Sequence, residues 1–263
     1  MAYGFRRPRF LRLEVLGERA LPSVTVADNG SGVVTITGDQ RANTIDITDN
    51  GSGGVHVVAD GTAYDFAGTV TDIKVVSRGG ADIVSYTLGD GLTDAVTRNV
   101  DIKLGNGGDT FTGTLGDVPA GSDLHLTVNG GNGKDNLSLT GGAADGNLTV
   151  ELLGGNGNDN LSAEFAGALS GSLDLTLNGG NGKDTVGSAL SVDAPADGST
   201  TSPTVQVHVL GGNGKDDLSL TVDGAGASSL TGATLEIDGG HGKDNFVDVT
   251  DGVVNVVDAE FKA

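Results

Sequence analysis

Asp109, Asp135, Asp159, Asp184, Asp216 and Asp244 each close a hexapeptide of the same design. The copies read LGNGGD, GGNGKD, GGNGND, GGNGKD, GGNGKD and GGHGKD. A turn this rich in glycine needs positive φ at several places. Gly supplies that without steric penalty, and Asn tolerates it better than most residues. Such a turn exposes backbone carbonyls on one side, and the closing Asp adds a carboxylate. Hard oxygen donors in a flexible ring suit Ca2+, which takes roughly six to eight of them at about 2.3–2.6 Å. The candidate metal-ligating residues are these six carboxylates, together with the turn residues Gly130, Asn132, Gly154, Asn156, Gly179, Asn181, Gly211, Asn213, Gly239 and His241.

The elements that must position them also repeat. A degenerate SRGGAD ends at Asp82 and a weaker GDQRAN at Asn43. From Asp82 onward the closing acids are 27, 26, 24, 25, 32 and 28 residues apart. A period of this size marks a solenoid. The longest step holds SVDAPADGSTTSP (191–203), which reads as a loop. Before the turns stand alternating runs such as LHLTV (124–128), LTVELL (148–153), LDLTL (173–177) and VQVHV (205–209), and after them short runs such as NLSL (136–139). Period-two alternation predicts half-buried strands. It points Leu124, Leu126, Val128, Leu148, Val150 and Leu152 inward, and His125, Thr127 and Glu151 outward. No window repeats apolar residues at helical spacing, and Gly recurs too often for helices.

One such unit cannot bury its apolar face alone, whereas stacked units can. The expected fold is therefore all-β: a parallel β-solenoid, β-roll or β-helix in kind, with coils of about 25 residues and Gly-Asp turns stacked on one edge. The chain divides into an N-terminal targeting or capping segment (1–23), degenerate β coils (24–100) and the calcium-binding repeat solenoid (101–263).

Stacking gives the carboxylates an energetic consequence. Neighbouring strands lie about 4.8 Å apart, and Asp charges at that spacing repel by roughly 3 kcal/mol per pair at an effective dielectric of about 20. A divalent cation between coils would convert this to attraction. Lys134, Lys183, Lys215 and Lys243 precede four of the acids, but exposed Lys–Asp pairs contribute only about 0–1 kcal/mol each.

The stretch Gly130-Gly131-Asn132-Gly133-Lys134-Asp135-Asn136-Leu137-Ser138 resembles the hemolysin-type, or RTX, calcium-binding repeat, G-G-x-G-x-D-x-U-x with U apolar. The resemblance covers about residues 100–250. It implies Ca2+ held between successive turns by the Asp and by turn carbonyls. In that family the nonapeptides run head to tail, two to a coil, with Ca2+ on both edges. Here one nonapeptide occurs per coil, so a wider coil with a single Ca2+ row is expected.

The first residues differ from the rest. FRRPRFLRLEVLGERALPSV (5–24) starts basic but lacks the continuous apolar run of a signal peptide. Arg7-Pro8-Arg9 followed by Leu13-Glu14-Val15-Leu16-Gly17-Glu18-Arg19-Ala20-Leu21-Pro22-Ser23 resembles the N-terminal segment of planctomycete extracellular-type proteins. That implies export or surface display; a plain arm capping the first coil is the alternative.

Composition narrows the function. The net charge is −20, and residues 1–22 carry five Arg against two Glu, which leaves −23 for the remainder. Phosphates are repelled by such a chain, so nucleic acid is not expected as a partner, while cations and basic partners are favoured. Cys and Trp are absent, so no disulfide staples the fold. No apolar stretch is long enough to span a membrane as a helix. The expected function is a calcium-binding β-solenoid, extracellular or at the cell surface, with a structural, surface or adhesion role and cell-surface or matrix components as partners. The chain reads as no enzyme, since the four histidines are scattered and His125 and His208 read as equivalent outward positions. Two rivals are a polysaccharide-active β-helix enzyme and a metal-free repeat held by Asn ladders through Asn132, Asn156, Asn181 and Asn213, since stacked Asn side chains stabilise strands.

Overall fold

A computed structural model describes residues 23–93, 95–193, 203–226, 230 and 232–250. Residues 1–22, most of the targeting segment, lie outside the described residues. Every described regular element is a β-strand, and no described helix is long and apolar enough to cross a membrane.

The chain forms the parallel β-solenoid that the repeats predict. Two ten-stranded sheets enclose one core, and the chain passes from one to the other. The first sheet orders β2 (Val33–Thr37), β6 (Asp72–Val76), β8 (Thr97–Asn106), β10 (Asp123–Asn132), β12 (Asn147–Asn156), β14 (Ser172–Gly182), β16 (Thr204–Gly214) and β18 (Thr234–Asp238). The second orders β3 (Thr44–Asp49), β7 (Ile83–Leu88), β9 (Thr110–Leu115), β11 (Asn136–Gly141), β13 (Asn160–Ala168), β15 (Thr185–Asp193), β17 (Asp217–Asp223) and β20 (Asn245–Thr250). Neighbours in both series pair parallel. Antiparallel pairing is confined to the start: β1 (Thr25–Asp28) lies on β2, and a hairpin of β4 (Val55–Ala59) and β5 (Thr62–Phe66) extends the second sheet beyond β3. A short β19 (His241–Gly242) pairs with the end of β16.

The alternation decides what the core contains. In the first sheet Val100, Leu126, Val150, Leu175, Val207 and Leu235 stack in one buried file. In the second, Val84, Phe111, Leu137, Leu161, Val186 and Leu218 do the same. Each fully buried side chain of this kind contributes about 1.5–3 kcal/mol, and its partners above and below are other apolar side chains, aliphatic everywhere but at Phe111. Because side chains alternate with period two, a slip by one residue would turn the whole file to solvent, so the register is strongly specified.

Two local expectations need correction. Ser191–Asp193, read as the start of a loop, complete strand β15, because pairing with β13 continues to Asp193 and pairing with β17 to Ser191; residues 194–202 lie outside the described residues. His125 and His208 are not equivalent. His125 aligns with Gln206, and His208 aligns with Thr176, two residues further along the strand. Both face outward, but in different files.

Candidate functional site

The hexapeptides lie where the chain leaves the first sheet for the second, and they stack on one edge. Gly131 pairs with Gly105 and Gly155, and Asn132 with Asn106 and Asn156. The turn ending at Asp135 shows why three glycines are required. Gly131 and Gly133 have φ of 100° and 135°, the left-handed region that favours Gly. A Cβ on Gly133 would also lie 1.4 Å from the Gly107 carbonyl oxygen of the preceding coil. Gly130 has no such φ. There a Cβ would lie 2.6 Å from Asp135 Oδ2 and 2.8 Å from the Gly154 carbonyl oxygen. The asparagines correct the expectation about φ, since none of Asn132, Asn156, Asn181 and Asn213 has a positive value. Their side chains act instead. Each Nδ2 donates to the Oδ1 of the preceding coil, from Asn213 to Asn181, Asn156, Asn132 and Asn106, at 2.7–2.8 Å. His241 continues this file beside Asn213 and is exposed.

The aspartates turn inward. Asp82, Asp109, Asp135, Asp159, Asp184 and Asp216 are buried, at most 3% exposed. Oδ1 of each accepts the backbone N–H of the closing residue one coil earlier. Asn43, Asp82, Asp109, Asp135, Asp159 and Asp184 donate at 2.7–2.8 Å, and Asp216 donates to Asp244 at 2.9 Å. The column thus links eight turns through seven carboxylate bonds, one between each successive pair. It ends at Asn43, whose neutral amide accepts from the Asp39 N–H and donates to Asp60.

The other oxygen has no partner. Oδ2 of Asp82, Asp109, Asp135, Asp159, Asp184 and Asp216 is buried and makes no hydrogen bond. In four successive coils it borders the same gap as a carbonyl oxygen of the following coil. The pairs are Asp135 with Gly154, Asp159 with Gly179, Asp184 with Gly211 and Asp216 with Gly239, every oxygen within 2.8 Å of the position a Cβ on the intervening Gly would take. Burial away from water raises the carboxyls of Asp82, Asp109, Asp135, Asp184 and Asp216 above the ordinary value. Asp159 is pushed up to about 6, by burial first and by the charges of Asp135 and Asp184 in addition. Among the described residues no three His, Cys, Asp or Glu side chains gather into a cluster that could hold a metal ion.

The lysines do not offset this column. Lys134, Lys183, Lys215 and Lys243 are exposed while the carboxyls lie behind them. Lys183 pairs at 3.3 Å with Asp217, the first residue of β17, and not with Asp184.

One buried constellation went unread in the sequence. Arg98 reaches across the core from β8 to Asp49 at the end of β3, with Nε 2.6 Å from Oδ2 in an ion pair and Nη2 donating to Oδ1 at 3.1 Å. Tyr86 donates its hydroxyl to the same Asp49 at 3.0 Å. The sequence does carry the signal. Arg98 stands two residues before Val100, Ile102 and Leu104 on the inward face of an alternating run, a place where an unpaired charge is not tolerated.

Compared with family models, curated proteins and solved structures, the chain shows no significant similarity to any of them.

Proposed function

We propose that this chain is a calcium-binding structural β-solenoid of the extracellular space or cell surface, with a surface or adhesion role, no catalysis, and cell-surface or matrix components as partners. The observation that carries the reading is the repeated, buried, unpartnered Oδ2 beside a carbonyl oxygen of the next coil. A buried charge without a partner is costly, and a carboxylate with a carbonyl is a hard-oxygen pair of the kind Ca2+ takes. Asp135 with Gly154, Asp159 with Gly179, Asp184 with Gly211 and Asp216 with Gly239 would hold the ions. Bound there, Ca2+ would supply positive charge between like-charged coils. With so few protein oxygens per gap, water must complete the ligand set. Affinity then falls near the weak, about 10⁻⁴–10⁻³ M class of extracellular modules, which suits a setting rich in calcium. The net charge of −20 and the absence of cysteine fit the same picture.

The Asn ladder favours a second reading, a metal-free scaffold of the same shape. It already ties Asn106 to Asn213 through four side-chain bonds without a metal.

Thermal unfolding of the full chain in chelator, in Ca2+ and in Mg2+ separates the two, because a ligand of the native state stabilises it by mass action. A midpoint that climbs through millimolar Ca2+ and not Mg2+ is the expected result. An unchanged midpoint, with no Ca2+ retained in equilibrium dialysis, would leave the metal-free scaffold.

A further inference from the structure

The exposed cations gather on one edge of the solenoid, which they share with the partly exposed Asp39, Asp217 and Asp244, while the other edge, among the described residues, exposes carboxylates as its only charges, and we infer that the two edges are complementary surfaces through which copies of this chain associate side by side. Six of the eight exposed Lys and Arg among the described residues lie on the Gly-Asp edge: Arg41, Arg78, Lys134, Lys183, Lys215 and Lys243. The other two, Lys74 and Lys103, lie on the outer face of the first sheet. The opposite edge, where the chain leaves the second sheet, exposes Asp90, Asp117, Asp145, Asp193 and Asp223 and, among the described residues, no Lys or Arg. A chain of net charge −20 has thus placed most of its exposed cations in a single row.

Spacing argues that the occupant of the basic edge is a second copy. Both rows ride on the same coils, so both repeat at the strand spacing of about 4.8 Å. Two copies side by side therefore meet charge against charge on most coils, those of Gly108 and Asn158 excepted, which a polyanion of another repeat would not. The basic row is also notched. Asn158 stands where its neighbours have Lys, and a shallow groove of about 590 Å³ opens there between Lys134 and Lys183, with Asp109, Asp135 and Asp159 also in its lining. Because the two edges differ, the contact is head-to-tail in kind and leaves a free edge at each end, so it propagates into an open row and does not close as a dimer. At about 0.1 M salt the screening length is about 10 Å. Each edge then feels the row it faces more than the net charge of the whole partner.

The inference rests on the calcium reading in one respect: the buried Asp column behind the lysines must be neutralised, by Ca2+ or else by protons, for that edge to act as a basic one. The test is therefore made on the full chain in saturating Ca2+, with the Ca2+-induced shift in unfolding midpoint recorded alongside. Sedimentation at about 0.1 mM protein, well above a micromolar Kd, should show species larger than the 26.1 kDa monomer at about 0.1 M salt. At about 1 M salt, where screening falls to about 3 Å, they should dissociate. Two variants follow, Lys134→Glu with Lys215→Glu, and Asp193→Lys with Asp223→Lys. Each alone should sediment as a monomer, and an equimolar mixture should associate again, because each restores the edge that the other lost. Circular dichroism of each confirms that it is folded. A wild-type chain that shows the Ca2+ shift yet stays monomeric overturns the edge pairing and leaves the metal reading standing. A chain that associates without any Ca2+ shift, with both variants monomeric, keeps the pairing and removes the metal. Association that survives both reversals, or a monomer that instead retains a sulfated polysaccharide through the lysines, overturns the inference.

Discussion

Replacing Asp159 by Asn separates the two roles of one carboxyl group. Its Oδ1 accepts the Asp135 N–H at 2.8 Å, and an Asn carbonyl oxygen can do the same. Its Oδ2 has no partner, and an Asn amide in that place can donate to the Gly179 carbonyl that borders the gap. The carboxyl is raised from 3.8 to about 6, which corresponds to at most about 3 kcal/mol favouring the neutral form in the fold. Water reaching the turn edge reduces this, so a gain of about 1–3 kcal/mol is expected for Asp159→Asn in chelator at neutral pH. For a chain of this size that is about 2–4 °C in midpoint per kcal/mol. The sign with pH follows from linkage. The folded value lies above the unfolded one, so the stability that protonation contributes is fully present below pH 3.8 and lost as pH rises through about 6. In chelator the wild type should therefore gain stability as pH falls from 7 towards 4.5, and the variant should gain less. In Ca2+ the order reverses, because the amide is a poorer ligand than the carboxylate. Differential scanning calorimetry across pH, with and without Ca2+, reads all of this. A variant clearly less stable than wild type in chelator would refute the account of the orphan oxygen.

Three other expectations concern the scaffold. Gly157→Ala should cost about 3–5 kcal/mol, because its Cβ would lie 1.4 Å from the Gly133 carbonyl oxygen, whereas Gly121→Ala, at a left-handed φ of 85° but with open space around it, should cost only about 1–2 kcal/mol; equal losses in urea unfolding would contradict the close stacking of the turns. Arg98→Leu should cost about 3–5 kcal/mol by leaving Asp49 buried and unpaired. Adding Asp49→Leu should recover most of that, since Leu124 and Leu88 occupy the aligned places in the adjacent coils; a double variant as weak as the single would show that the pair is not the cause. Asn156→Ala removes two ladder bonds and Asn213→Ala one, so losses of about 1–2 kcal/mol and about half that are expected by thermal unfolding, and equal losses would argue against an additive ladder.

Much of the fold was readable because its signals are local and repeated. Alternation in LHLTV and LTVELL placed Leu124, Leu126, Leu148 and Val150 in the core, and the recurrence of Gly-Asp turns placed a stacked edge. The site was read less well. Sequence named Asp109, Asp135, Asp159, Asp184, Asp216 and Asp244 and read their lysines as weak, exposed partners; the structure buries the first five, with Asp82 of the degenerate turn as a sixth, and separates Lys134 from Asp135 although they are neighbours in the chain. In the fold one is exposed and the other buried, since consecutive residues leave a turn in opposite directions. The end of β15 was taken for loop because its polar residues, Ser191 and Asp193, face outward while Val192 alone is buried.

The sequence by itself determined the architecture: period-two alternation demands strands, and a unit too small to bury its own face demands stacking. What the tertiary structure alone decided is which atoms of the repeat meet. The pairing of Asp159 Oδ1 with the Asp135 N–H joins residues 24 apart, the contact of Arg98 with Asp49 joins residues 49 apart, and the separation of basic and acidic edges arises only when coils lie in register. Such contacts depend on the rise and rotation from one coil to the next, a geometric quantity set by core packing and backbone pairing together, and no single repeat contains it.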